Sequence, residues 1–162
     1  MTTSDKKIHL ELPDMLEVLQ TLRDPDTQAD DAFPFVLSAG ERRSFTANTI
    51  IRDPSWRKKD SDGALRMSPG DASTLGVETG DRVRLATKRD RVVVSVEVSE
   101  SMQPGHLSLP NGLGLLYPDD DGNSRAPGVA PNELTASEDC DPFVGTPWHK
   151  YVPAAVERIA TQ

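Results

Sequence analysis

The stretch "ALRMSPGDASTLGVETGDRVRLATKRDRVVVSVEV", residues 64–98, leaves the chain few folding choices. Ala64 to Met67 reads as a short strand. Ser68 then caps a helix, Pro69 takes its first position, and Asp71 lies near its positive end. Leu75 is expected to bury, Gly76 ends the helix, and "ETGD" turns into the strand "RVRLAT". "KRDR" turns again, and Val92, Val94, Val96 and Val98 alternate onto one face of a further strand. A brief helix between strands with tight turns on each side suits a small β-barrel and excludes a helical bundle. Thirteen prolines and eleven glycines across the chain press the same way.

The flanking segments extend this pattern. "FPFVLSAG" predicts a continuous apolar strand buried on both faces, broken at Ala39-Gly40. "RDPSWRKKDSDG" is a polar loop carrying Trp56, and "MQPGHLSLP" gives one more turn and strand. From Asn111 onward the chain reads as an irregular lobe, ending in a strand around Tyr151 and Val152 and a short tail. Upstream, "LPDMLEVLQTLRD" predicts an amphipathic helix from Pro13 to Arg23, with Met15, Leu16, Leu19 and Leu22 at helical spacing. The division expected is residues 1–31 as an acidic helix and linker, and 32–162 as the folded domain.

Charge and composition remove several classes of function. The formal net charge of -8 argues against nonspecific nucleic-acid binding, which needs a basic face. No apolar run approaches the roughly 20 residues of a membrane-spanning helix, and no secretory leader is read, so a cytoplasmic location is expected. Cys140 is the single cysteine, and the acids of "SEDCDP" disfavour its thiolate. His9, His106 and His149 lie far apart without metal-site spacing, so neither a catalytic constellation nor a metal site is read.

One feature of the charge pattern does suggest a ligand. Residues 1–31 carry eight acids against Lys6, Lys7 and Arg23, whereas residues 41–59 carry Arg42, Arg43, Arg52, Arg57, Lys58 and Lys59 against Glu41 and Asp53. The basic run opens at the glycine break "AGERRS". Backbone N–H groups at such a break can converge on an anion, and arginine adds a planar fork that matches phosphate. A plain solvated turn is the competing reading. The asparagines of "NGLG" and "APNELT" can pair with the edge of a flat heterocycle, or can simply form turns.

Taken in order, these segments resemble one family. The opening from Phe35 to Arg43, "SPGDASTLGVETGDRVRL", "VEVSESMQPGHLSLPNGLG", "NELT" and "DPFVGTPWHK" are similar to the C-terminal molybdopterin dinucleotide-binding domain of molybdenum oxidoreductases. That group includes formate dehydrogenases, nitrate reductases and dimethyl sulfoxide reductase, and the resemblance covers residues 33 to about 156. It implies a mainly β fold: a six-stranded double-psi β-barrel with short helices and a long irregular C-terminal lobe. It also implies that the domain covers one molybdopterin guanine dinucleotide of a bis-cofactor. Gly40, Glu41, Arg42, Arg43 and Ser44 match the turn that meets the cofactor. Asn48 and Thr49 match the next contact region, where relatives more often carry Gly-Thr. His106, Asn111 and Gly112 match the neighbouring loop, Asn132 and Thr135 the "N-x-L-T" element, and His149 with Lys150 the final one.

The resemblance also implies partners. Relatives hold molybdenum and an iron–sulfur cluster through cysteines and other ligands of further domains, which one cysteine cannot supply. The chain is therefore expected to act with the upstream domains of a bacterial, formate dehydrogenase-like enzyme, or as a small separate subunit, and not to catalyse alone. A stand-alone double-psi-barrel module for a nucleotide or protein partner is the alternative. A swapped-hairpin DNA-binding relative is disfavoured by the acidic charge.

Overall fold

In chain order the elements are α1 (Pro13–Thr21), β1 (Phe35–Glu41), β2 (Leu65–Met67), α2 (Pro69–Leu75), β3 (Arg82–Thr87) and β4 (Arg91–Val98). They continue with β5 (His106–Pro110), β6 (Tyr117–Pro118), β7 (Ser124–Arg125), a 3₁₀ turn (Pro131–Glu133) and β8 (Val152–Arg158). The structure, a computed structural model, describes residues 3–21, 30–41, 62–118 and 121–159.

Local chemistry fixes α2 at both ends. Ser68 is extended (φ -70°, ψ 155°), and its Oγ accepts the Asp71 N–H at 3.1 Å, satisfying an otherwise orphaned helix donor. The same hydroxyl donates to Asp71 Oδ2 at 2.8 Å, and that oxygen also accepts the Gly105 N–H at 2.9 Å. One carboxylate thus binds the helix start to the turn that leads into β5. At the other end Gly76 caps the helix, and Ala72 and Val77 bury against the barrel.

The six longer strands close into a barrel in the order β1-β5-β2-β4-β3-β8. β1 runs parallel to β5 and β2 parallel to β4; the other neighbours are antiparallel. Each parallel pair needs a crossover, and the two crossovers interlock, because β2 lies between β5 and β4. This is the double-psi barrel that the resemblance implied. Leu37, Leu65, Met67, Leu85, Leu107 and Leu109 fill its interior at 1% exposure or less. Each such side chain contributes about 1.5–3 kcal/mol of burial.

Two features of β1 correct the sequence reading. Its burial alternates: Leu37 and Ala39 point inward while Val36 and Ser38 are only partly covered. A barrel has one dry interior, so a strand in its wall is buried on one face even when its sequence is apolar on both. The chain also does not break at Gly40. Ala39 pairs with Leu109 and Glu41 with Pro110, which leaves Gly40 as an extra residue at φ 92° within the strand. That is a β-bulge, at a backbone angle that favours glycine.

At the C-terminal side, the strand expected around Tyr151 and Val152 runs on to Arg158 and replaces the short tail. β8 pairs with both β1 and β3 and closes the barrel, with Val152, Ala154 and Val156 facing in. The irregular lobe contains the β6–β7 ladder and a bridge between Cys140 and Pro147. Within it Gly114 lies so close to the chain at Ala130 that a Cβ there would be 2.3 Å from the Ala130 nitrogen. Helix α1 stands apart, with Met15, Leu16 and Leu19 at 47%, 42% and 57% exposure. Among the described residues no helix is long and apolar enough to cross a membrane.

Candidate functional site

Strand direction brings distant residues to one end of the barrel. Because β1 is parallel to β5 and antiparallel to β8, the end of β1, the end of β5 and the start of β8 coincide. The first contributes Gly40 and Glu41, the second Asn111 and Gly112, and the third His149 and Lys150. Hydrogen bonds join them: the Asn111 N–H donates to the Glu41 carbonyl at 3.0 Å, and the Ala39 N–H to the His149 carbonyl at 2.7 Å. A Cβ on Gly40 would lie 3.7 Å from Asn111 Cβ, so the bulge packs directly beside that amide side chain.

Asn111 carries the most informative atom of this wall. Its Oδ1 is buried and has no hydrogen-bond partner among the described residues. A buried acceptor without a donor costs about 1–3 kcal/mol, so it marks a place where an N–H group of a ligand would be welcome. Pterin and guanine both present such N–H edges, and the residues therefore fit the cofactor that the sequence resemblance implies.

The other expected residues have contacts of their own. His106 sits at the opposite end of β5, about 16 Å along the strand from Asn111. It is nevertheless one wall of a cleft of roughly 370 Å³ on the outside of the barrel, which Ser38, Glu41, Ser108 and Lys150 also line. Asn132 is exposed on the 3₁₀ turn, two residues beyond the Ala130 that packs on Gly114. Thr135 is buried, its carbonyl accepting from Arg89, while Thr87 Oγ1 donates to the Leu134 carbonyl at 2.9 Å. Arg42, Arg43, Ser44, Asn48 and Thr49 lie outside the described residues.

One set of residues in this region is not brought together by the sequence, although Glu41 is singled out there. On the outer face of the barrel, Glu41 of β1, Ser108 of β5, Arg66 of β2 and Glu97 of β4 form a row across four neighbouring strands. Arg66 Nη1 donates to Glu41 Oε1 at 3.0 Å, its Nε donates to Glu97 Oε1 at 2.9 Å, and Ser108 Oγ donates to Glu41 Oε2. The available signal is Arg66 itself, a charged residue between the buried Leu65 and Met67.

No group of three or more His, Cys, Asp or Glu side chains that could hold a metal occurs among the described residues. His9 pairs with Asp5 at 2.8 Å on the exposed N-terminal segment, far from this wall in sequence. There the Lys7 backbone N–H, more than the histidine, holds the Asp5 carboxyl below its ordinary value.

Comparison with known proteins identifies the family. The family described as "Molydopterin dinucleotide binding domain" matches residues 35–153. The chain is similar to the alpha subunit of F420-dependent formate dehydrogenase 1 of Methanococcus maripaludis, 25% identical over 84% of this chain and 18% of that protein. It is similar to a nitrate reductase of Symbiobacterium thermophilum, 29% identical over 68% of this chain and 14% of that protein. An NADH-quinone oxidoreductase component of Salmonella typhimurium is 31% identical over 41% of this chain and 7% of that protein. The chain thus spans less than a fifth of each of these relatives. Among solved structures, acetylene hydratase from Pelobacter acetylenicus superposes with a TM-score of 0.60 over 95% of this chain and 21% of that one. At 16% identity that likeness speaks for the fold alone. With the family match running from the first barrel strand into the last, this chain belongs to the molybdopterin dinucleotide binding domain family, the domain found in molybdopterin oxidoreductases.

Proposed function

We propose that residues 32–162 cover one molybdopterin guanine dinucleotide of a bis-cofactor in a formate dehydrogenase-like oxidoreductase, with residues 1–31 as the upstream linker. The observation that carries this reading is the buried, unpartnered Asn111 Oδ1 beside the Gly40 bulge, at the barrel end where β8 begins. Asn111 accepts from an N–H edge of the pterin or guanine, the backbone at Gly40 approaches it closely, and Lys150 supplies charge for the pyrophosphate. Arg42 and Arg43, which follow Glu41 in sequence, add the planar forks that suit phosphate.

When bound, the cofactor supplies the redox step, and the residues of this chain hold, orient and shield it. Further domains or subunits complete the other side of the cleft and provide the ligands of molybdenum and of an iron–sulfur cluster. The resemblance to the formate dehydrogenase over 84% of the chain favours that branch. The assembled enzyme is cytoplasmic in this reading.

A guanine nucleotide diphosphate tests the wall with the chain alone. GDP binds with a dissociation constant on the order of millimolar, about -4 kcal/mol, because only half of the cleft is present. Amide shifts on titration cluster at Gly40, Glu41, Asn111, Gly112, Asn132 and Lys150, and they weaken as salt screens the arginines. Replacing Arg42 and Arg43 by alanine abolishes the clustered shifts and leaves the fold intact. Shifts that scatter over the surface, or persist unchanged in the double variant, would sink the reading.

A further inference from the structure

The Arg66 row offers a second layer to this site. Glu41 is tied in through both its backbone and its side chain. Its carbonyl accepts the Asn111 N–H at 3.0 Å, which ties the end of β1 to the loop after β5. Its carboxylate folds onto the outer face of the barrel, where Ser108 and Arg66 both donate to it. The residue just before it, Gly40, is the bulge, where the strand register slips and the ladder is locally interrupted. At that interruption the side-chain contacts of Glu41 cross to β5 and β2, the next strands of the barrel.

We propose that Arg66 is a positioning residue for the cofactor wall, acting through Glu41 to hold the Gly40 bulge against Asn111; this rests on the wall reading given above. Arginine suits the task because its Nε and Nη1 point from one plane at two carboxylates on different strands, 2.9 Å from Glu97 and 3.0 Å from Glu41. The Glu97 arm anchors the guanidinium on β4, two strands away from β5, so the position of Glu41 is referred to the far side of the barrel. The three charged side chains are 28–33% exposed, which limits screening without burying a charge alone. Asn111 Oδ1 has no hydrogen-bond partner among the described residues, so packing beside the Gly40 bulge is what steadies its direction.

The test compares Arg66→Gln with Glu97→Gln in the full chain. Both remove an ion pair from the row, but only the first takes a donor from Glu41. Hydrogen exchange at the Asn111 amide reads the wall without any ligand. Arg66→Gln should speed it by about tenfold, with Glu97→Gln within about twofold of the parent, as expected for a local opening. GDP affinity should fall by a similar factor in Arg66→Gln alone, at melting temperatures that the two variants share. Ser108→Ala, which removes the second donor to the same carboxylate, should give a smaller acceleration of the same amide and decides the matter if Arg66→Gln does not fold. Equal exchange at Asn111 in Arg66→Gln and Glu97→Gln overturns the proposal, as does an unchanged GDP affinity in Arg66→Gln when the parent chain binds GDP. If the parent chain binds no GDP while Arg66→Gln still loosens Asn111, the cofactor reading fails and the positioning role stands.

Discussion

Helices α1 and α2 both begin at a proline with an aspartate in the first turn, and they differ in almost everything that follows. In α2 a serine cap, a glycine cap and the Asp71–Gly105 bond fasten seven residues into the barrel, and Ala72 is buried. In α1 nine residues carry a clearer apolar stripe, yet Met15, Leu16 and Leu19 stay exposed. The stronger hydrophobic pattern thus belongs to the less buried helix. Periodicity states which face a helix would bury; only caps and neighbours state whether it has something to bury that face against.

Three substitutions sharpen the contrast. Leu85→Ala, in the barrel interior, should cost about 2–5 kcal/mol in urea unfolding, the range for deleting a fully buried leucine side chain. A cost under about 1 kcal/mol would mean that the barrel repacks around the loss and is less fixed than its burial indicates. Ser68→Ala should cost about 1 kcal/mol, since the Asp71 N–H loses its acceptor and the carboxylate loses a donor. That variant should also move the Gly105 amide resonance, because Asp71 serves both sites. Leu16→Ala, on the exposed stripe of α1, should stay within about 0.5 kcal/mol of the parent, the ordinary range for surface changes. A Leu16→Ala cost comparable to that of Leu85→Ala would erase the distinction between the two regions.

The parts of the fold written in local signals are readable in advance. β3 falls on "RVRLAT", α2 lies between Ser68 and Gly76, and the inward set of β4 contains Val94 and Val96. Those elements depend on caps, turns and alternation, which act over a few residues. β8 reads too short, because Pro153 and two alanines dilute its alternation and only pairing with β1 and β3 reveals it as a wall strand. The two-residue strands β6 and β7 carry too little pattern to be seen at all. At the site, Gly40 and Asn111 are identified through resemblance. That they touch depends on a parallel pairing no local signal encodes. Arg66 escapes for a related reason: its meaning comes from carboxylates on β1 and β4, not from its neighbours in sequence.

The pairing of β8 with β1 has a consequence for how the molecule is made. Phe35 meets Ala154, so nearly the whole barrel sequence must be present before the wall can close. During synthesis β1 and β3 emerge with edges that lack their final neighbour, and they keep them until β8 arrives. Bare strand edges invite pairing with other chains, and such long-range closure is intrinsically slow. The nascent chain is therefore most exposed to misassembly just before the barrel closes, and a chaperone would have its largest effect in that interval.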